Sequence, residues 1–207
     1  MAPSSPVPRF RRSRLLGVVL AAGAVLASRE AAADDADEWV PPSSRRMWYA
    51  AGLGSDIGVA SCGYYHGCAH FQFINEVGYH FNGRGDGPAI GGLLILGGAR
   101  NTFRFSPQAK FWWDIPVFPR HAFFLTPGLS AGYNLVQSRL WVGDIFDLRE
   151  DWASNHSLIV QGTFAGRVVL RNRGLAYFQP VGLGLNLGGG GVGLAITSVL
   201  GGGFTFD

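Results

Sequence analysis

Apolar and polar side chains alternate along residues 69–81 (AHFQFINEVGYHF). Aromatic and aliphatic residues take every second position, histidine, glutamine and glutamate lie between them, and Asn75 is the one interruption of the apolar series. Successive side chains of a β-strand point to opposite faces of its sheet. The pattern therefore predicts a strand with one apolar and one polar face.

Seven further segments carry the same signal with varying clarity, and turn-forming residues separate them. Residues 89–99 are so uniformly apolar that their two faces cannot be assigned from the sequence. Pro127 and Pro180 fall inside predicted strands, where each removes a ladder donor, so they indicate either bulges or misplaced strand limits. The predicted strands are 47–60, 69–81, 89–99, 103–117, 122–136, 158–171, 177–187 and 192–206.

The connections between these strands alternate in length. Short turns are predicted at 82–88, 118–121 and 171–174, whereas 62–68 and the long segment 137–157 lie at the opposite end. An even number of strands with short turns beside both termini is typical of bacterial outer-membrane barrels. The predicted fold is all-β: an eight-stranded antiparallel up-and-down transmembrane barrel.

The N-terminal residues predict export. Four arginines between positions 9 and 14 precede an apolar run at 15–26, and three alanines end at Ala33 before Asp34. This order is typical of a cleaved secretory signal peptide, here 1–33. The apolar run is short for a membrane anchor, and the sequence around the paired arginines fits a twin-arginine signal less well. Residues 34–46 are predicted to form a flexible periplasmic lead-in, and 47–207 the barrel.

Composition and charge support a membrane protein. Removal of residues 1–33 takes away five arginines and one glutamate, so 17 basic and 14 acidic residues become 12 and 13. The mature chain is then nearly neutral, which argues against nucleic-acid binding. After residue 33 no apolar stretch reaches the ~18 residues of a membrane helix. In lipid, a closed barrel is the alternative that satisfies the backbone.

The last strand carries the most informative short motif. Apolar residues alternate back from Phe206 through Phe204 and Leu200, although Gly202 takes one apolar position and Asp207 follows the aromatic residue. This strand resembles the terminal signal that the barrel assembly machinery recognises. Together with the strand and loop pattern, it resembles the small outer-membrane β-barrel superfamily (OmpA-barrel-like, OmpX-like and OmpW-like proteins) over residues 47–207. That resemblance implies an architecture and outer-membrane localisation more than an activity.

Charged residues on predicted inward faces are candidates for a lumen network. An eight-stranded barrel encloses little more than its own side chains, so these charges are expected to pair with one another. They would form either a salt-bridged plug or the wall of a narrow conduit. The candidates are Glu76, Lys110, Asp114, Arg167 and Arg171.

Cys62 and Cys68 are the two cysteines of the chain, on either side of a predicted loop tip. In an oxidising compartment such an isolated pair is expected to form a disulfide. Recruitment of His66 and His70 to a metal site is the weaker alternative, because the spacing matches no known structural zinc site. We predict no metal and no cofactor.

Three functions remain open. The leading prediction is a non-enzymatic barrel with a structural and surface-contact role. Inward glycines, such as Gly52 and Gly182, leave open a narrow pore or a hydrophobic-ligand channel. A lipid-modifying enzyme would need His156, Ser157 and an acid such as Asp151 gathered at the outer rim, but the His-x-Ser-Asn order of the lipid A deacylase family is absent.

In a membrane barrel the aromatic residues on the apolar faces are expected to point outward, and those near strand ends to form interfacial girdles. They are Tyr49, Phe71, Tyr79, Trp113, Tyr133, Tyr177 and Phe204. A soluble lipocalin-like barrel is the fold-level rival, since it would place the aromatic faces inside. The expected partners are outer-membrane lipid and lipopolysaccharide, and the barrel assembly machinery during biogenesis. The sequence does not specify a ligand or an oligomeric state.

Overall fold

The computed structural model describes residues 45–60, 69–99, 101–118, 123–142, 149–170, 173–188 and 191–207. The predicted signal peptide, most of the lead-in, Cys62, Cys68 and Arg171 lie outside these residues. Eight strands account for nearly all of the described chain. They are β1 (Met47–Ala60), β2 (Ala69–His80), β3 (Gly87–Ala99), β4 (Thr102–Phe118), β5 (Phe123–Val142), β6 (Arg149–Val169), β7 (Gly174–Gly188) and β8 (Gly191–Phe206).

Each strand pairs antiparallel with the next, and β8 pairs with β1 to close the barrel. The closing seam runs from Met47 opposite Phe206 to Ala60 opposite Leu194. Closure removes the free sheet edges that an open sheet would expose. The predicted eight-stranded up-and-down barrel is thereby confirmed.

The alternation along β4 shows how the wall is built. Arg104, Lys110 and Asp114 are buried inside, while Phe111 and Trp113 are about half exposed on the outside. In β3, whose faces the sequence left unassigned, Leu93 and Ile95 point inward. The inward face of a uniformly apolar strand can be assigned only from the neighbouring strands, which show which side meets the interior.

A β-bulge in β7 changes which positions face inward. Two residues, Pro180 and Val181, lie between the rungs that Gln179 and Gly182 make with β8, where a single residue lies on the partner strand. Such a bulge moves the following side chains to the other face. The sequence pattern placed Tyr177 outside, which is wrong: the side chain is buried, since it precedes the bulge.

Pro127 behaves differently from Pro180. It stands opposite Phe164 in β6, and the register between β5 and β6 is unchanged on either side of it. This proline is accommodated without a bulge, so only one of the two prolines marks an irregularity in the ladder.

The predicted long loop at 137–157 is largely strand, so that expectation is wrong. β5 and β6 stay paired as far as Val142 and Arg149. β4 pairs with β5 only to Ser138, and β7 pairs with β6 only to Ser157. The two strands therefore continue beyond their neighbours as a projecting hairpin, here called the β5–β6 extension (residues 139–142 and 149–156).

The part of the chain that the structure describes contains no helix with the length and apolarity needed to cross a membrane.

Candidate functional site

The interior of the barrel holds a plug of charged and aromatic side chains. At its centre, Lys110 Nζ lies 2.7 Å from Glu76 Oε1. The same ammonium group lies 5.7 Å from the ring centroid of Trp112 and 5.6 Å from that of Tyr177. An ammonium ion this close to aromatic faces gains a further electrostatic attraction, which adds to the ion pair.

Asp114 organises the interior nearer the end where both termini lie. Its carboxylate forms an ion pair with Arg167 at 2.7 Å and lies 2.6 Å from Nε2 of His80. It also accepts hydrogen bonds from Thr126 Oγ1 at 2.6 Å and Trp112 Nε1 at 3.2 Å. The ion pair and the hydrogen bonds together offset the free-energy cost of removing this carboxylate from water.

Arg167 links this carboxylate to the turn that follows β2. Its Nη2 donates to the carbonyl oxygen of Gly85 at 2.9 Å. Its guanidinium group also lies 5.3 Å from the ring of Trp48 and 4.8 Å from that of Phe124. The charged group and two aromatic rings thus fill the barrel next to the β2–β3 turn.

A third ion pair, between Arg104 and Asp56, lies toward the opposite end. Arg104 Nη1 contacts Asp56 Oδ2, and Arg104 Nε donates to Asn134 Oδ1 at 2.8 Å. Asn134 in turn donates to Asn186 at 3.2 Å. Between the two ends, Gln161 and Gln179 both donate to Thr197 Oγ1.

The structure therefore brings together four of the five predicted lumen charges, Glu76, Lys110, Asp114 and Arg167, as two ion pairs. Asp56, His80 and Arg104 are further lumen groups, which were not predicted from the sequence. The signal was present, because each lies on the polar face of its predicted strand. The sequence did not show which side chain each of these groups contacts.

Inward glycines make room for the side chains of the plug. A Cβ atom on Gly78 would meet Trp48 Nε1 at 2.8 Å, and one on Gly91 would meet the Trp112 ring at 2.9 Å. On β1, a Cβ on Gly52 would lie 2.8 Å from Val199 Cγ1. Neighbouring side chains thus occupy the space that these glycines leave.

The candidate enzymatic residues do not form a catalytic group. His156 faces outward, where its Nδ1 contacts the hydroxyl of Tyr133. Ser157 lies on the other face of β6 and accepts a hydrogen bond from Asn134 at 3.2 Å. Adjacent residues of one strand point apart, so a His–Ser pair within hydrogen-bond reach is not built here. Asp151 is exposed on the extension.

The residues of the predicted assembly signal form an outward stripe on β8, which Gly202 interrupts. Leu200 and Phe204 are exposed on the outside, and the ring of Phe206 lies 5.6 Å from that of Phe204. Phe204 also packs at 5.6 Å against Tyr49 across the closing seam. Among the described residues, no group of three or more histidine, cysteine, aspartate or glutamate side chains is placed to hold a metal ion.

Comparison with known proteins defines the class of fold. No protein-family model and no curated protein sequence matches the chain. Among solved structures, it is similar to Ail, the attachment invasion locus protein of Yersinia pestis, with 14% identity and a TM-score of 0.52; the match covers 79% of this chain and 99% of Ail. It is also similar to Neisserial surface protein A, with 12% identity and a TM-score of 0.54, over 77% of this chain and 97% of that protein.

At these identities the likeness establishes the fold alone. The chain has the architecture of the small eight-stranded outer-membrane β-barrels, as its closed antiparallel ladder already indicates.

Proposed function

We propose that this chain is an integral outer-membrane protein with a closed lumen, a structural and surface-contact role and no enzymatic activity. The observation that carries the proposal is the buried plug, in which Glu76 pairs with Lys110 and Asp114 with Arg167. Paired charges packed between tryptophan and tyrosine rings stabilise a barrel and obstruct a water path along its axis.

The distribution of polarity supports residence in a membrane. Large apolar side chains such as Phe71, Phe111 and Leu200 are exposed on the outer wall, at 55%, 47% and 67%. Charged side chains of the plug are buried inside. This is the reverse of a soluble lipocalin-like barrel, and it suits a wall that contacts hydrocarbon.

The β5–β6 extension supports a surface-contact role. Four rungs, from Arg139 opposite Trp152 to Val142 opposite Arg149, continue beyond the last rung that β5 shares with β4. At about 3.4 Å per residue the hairpin projects roughly 14 Å beyond that neighbour. It lies at the end opposite the termini, which is the extracellular end if the termini are periplasmic.

Lipopolysaccharide is the partner that we propose for the outward face of this region. The Arg139 guanidinium lies 6.0 Å from the Trp152 ring centroid, and Trp152 is exposed. Lower on the same outward face, six residues from Arg139 and four from Trp152, Tyr133 and His156 form an outward pair. Aromatic side chains are favoured where hydrocarbon meets headgroups, and arginine is suited to phosphate.

The terminal stripe of Leu200, Phe204 and Phe206 is the proposed contact for the barrel assembly machinery during biogenesis. The names of the two fold neighbours refer to attachment and to the surface, which agrees with a surface role for this chain without specifying a partner.

Planar-bilayer recordings test the closed lumen. We expect no steady conductance from the parent or from the Glu76→Ala/Lys110→Ala double variant, because Arg167 and the aromatic rings still fill the barrel. A steady conductance in the parent that rises in the double variant would instead establish a narrow pore. Insertion is checked in parallel by the shift of the unheated protein on a gel.

Lipid analysis tests the absence of enzymatic activity. Lipopolysaccharide and phospholipids are extracted from cells that express the parent or the His156→Ala variant, and their masses are compared with those from cells without the protein. We expect three identical lipid profiles. A modified lipid in the parent alone would establish an enzyme at the outer rim.

A further inference from the structure

The outer wall contains an apolar groove between β5, β6, β7 and β8. Its volume is about 290 Å³, near the lower end of the ~300–1,000 Å³ that is usual for ligand pockets. We call it the β6–β7 groove. Its principal lining residues are Phe123, Phe164, Gly166, Phe178, Pro180 and Leu200.

Two features of the sequence create this groove. Gly166 contributes no side chain to the outer wall, and a Cβ atom built there would reach Phe123 Cε2 only at 3.4 Å. The bulge at Pro180 shifts the register of β7 against both neighbours, so Phe164 pairs with Val181 while Gly166 pairs with Phe178. A missing side chain next to a widened ladder leaves a recess among aromatic rings.

One end of the groove lies near the turn that precedes β7 and contains Arg173. Val168 and Ala176, which line it, form a rung of the β6–β7 ladder. Arg173 lies three residues from Ala176 and is exposed. An extended chain rises about 3.3 Å per residue, so the Cα atoms of Arg173 and Ala176 are at most roughly 10 Å apart. A molecule with an apolar chain and an anionic end could therefore contact both.

Among the described residues, Arg45 and Asp207 are charged groups that also lie near this turn. Arg45 donates to Thr205 Oγ1 at 3.1 Å and is buried. Burial, and then repulsion from Arg173, lower the pKa of Arg45, while Asp207 acts in the opposite direction. Arg45 is thus held by Thr205, while Arg173 presents an exposed guanidinium group at this turn.

We propose that the β6–β7 groove is a lipid site, which holds one acyl chain of an anionic phospholipid while Arg173 binds its phosphate. The proposal rests on the outer-membrane residence proposed above, with the termini in the periplasm. The occupant then comes from the periplasmic leaflet. Hydrocarbon in the groove would contact aromatic rings on several sides, whereas a lipid on the open wall contacts the protein on one side.

The chain offers a matched pair of variants. Gly166→Leu places a side chain in the groove, and its first carbon meets only ordinary contacts. Gly162→Leu adds the same side chain to the same outward face of β6, four residues away, where a Cβ atom has nothing within 4 Å. Both variants increase the apolar surface of the wall, but only the first fills the recess.

Retained lipid is measured by native mass spectrometry after the full barrel is folded into vesicles of equal parts phosphatidylethanolamine and phosphatidylglycerol and released in detergent. We expect one phosphatidylglycerol on the parent and on Gly162→Leu. Retention by Gly166→Leu should be about tenfold lower, since roughly two buried methylene groups are displaced. No retention by the parent, or equal retention by both variants, overturns the proposal.

The headgroup contact is tested by Arg173→Asn. Arg173 has a φ of 75°, and asparagine tolerates this left-handed conformation. We expect the preference for phosphatidylglycerol over phosphatidylethanolamine to disappear, while Arg84→Asn, on an exposed position of the β2–β3 turn, retains it. An unchanged preference in Arg173→Asn shows that this arginine does not bind the phosphate.

The gel shift between unheated and heated protein shows whether each variant has folded into the vesicles. This measurement distinguishes a failure of the lipid-site proposal from a failure of the outer-membrane proposal on which it rests. A folded, inserted parent that retains no lipid overturns the lipid site alone. A parent that does not insert overturns the outer-membrane assignment itself.

Discussion

Lys110 Nζ lies 2.7 Å from Glu76 Oε1 inside the barrel, and each side chain is 2% exposed. Neither charge has access to bulk water, so each depends on the other for its stability. Removing one partner leaves the other buried and unpaired, whereas removing both leaves only a change of shape. This difference can be measured.

Lys110→Met and Glu76→Met should each lower the free energy of unfolding by about 3–5 kcal/mol, and the double variant should lose much less than the sum. Urea unfolding in lipid vesicles, followed by tryptophan fluorescence, gives the three values. Additive losses would show that the two side chains do not act as a pair.

Gly182→Ala should destabilise the barrel by about 1–3 kcal/mol because a Cβ atom there would collide with Thr197 and would lie 2.7 Å from Gln179 Nε2. Gly184→Ala is the control, since the same atom would meet Ile159 Cδ1 at 3.7 Å. The unfolding midpoints of the two variants are measured by urea unfolding in vesicles, as for the Glu76 and Lys110 variants. Equal stability of the two variants would reveal free space in the lumen and favour the narrow pore.

Phe73→Arg should cost roughly 2–4 kcal/mol if this outward residue meets the bilayer midplane. Phe81→Arg should cost about 0–1 kcal/mol, because Phe81 follows the end of β2, where the guanidinium can reach headgroups. Folding yield into vesicles and unfolding midpoints provide the comparison. Normal folding of Phe73→Arg would contradict a lipid-facing wall.

Cys62 and Cys68, which lie outside the described residues, are predicted to form a disulfide because they are isolated and close in sequence in a chain that is predicted to be exported. The intact mass of the purified protein is measured after alkylation with and without prior reduction. We expect alkylation only after reduction. Two alkylated thiols in the unreduced protein would disprove the bond.

Phe206→Ala should lower the amount of heat-modifiable barrel in outer-membrane fractions and leave unfolded chain in the periplasm. The reason is that the terminal aromatic residue belongs to the outward stripe that the assembly machinery is proposed to bind. Removal of Asp207, which lies beyond β8, is the control and should have little effect. If both proteins reach the membrane at the parent's level, the last strand is not an assembly signal.

The alternation of side chains was sufficient to predict most of this fold. It determined the number of strands, the polar face of β2 and β4, and the end at which the short turns lie. The reason is local: a strand has a period of two whatever its neighbours are, and turn residues interrupt it at defined positions. Glu76, Lys110, Asp114 and Arg167 could therefore be assigned to inward faces from the chain alone.

Other features depend on contacts between distant strands. Tyr177 was placed on the wrong face because the bulge at Pro180 changes the period within β7, and the ladder with β6 and β8 shows the bulge. The paired length of the β5–β6 extension likewise depends on a register that no single strand contains.

The partners of the buried charges were also decided by the tertiary structure. Glu76 and Lys110 lie on strands separated by β3, and Asp114 meets Arg167 across the lumen. Period-two alternation tells which face a charge occupies but not its height along the barrel axis. That height follows from the stagger of all eight strands at closure, and it selects which carboxylate each cation meets.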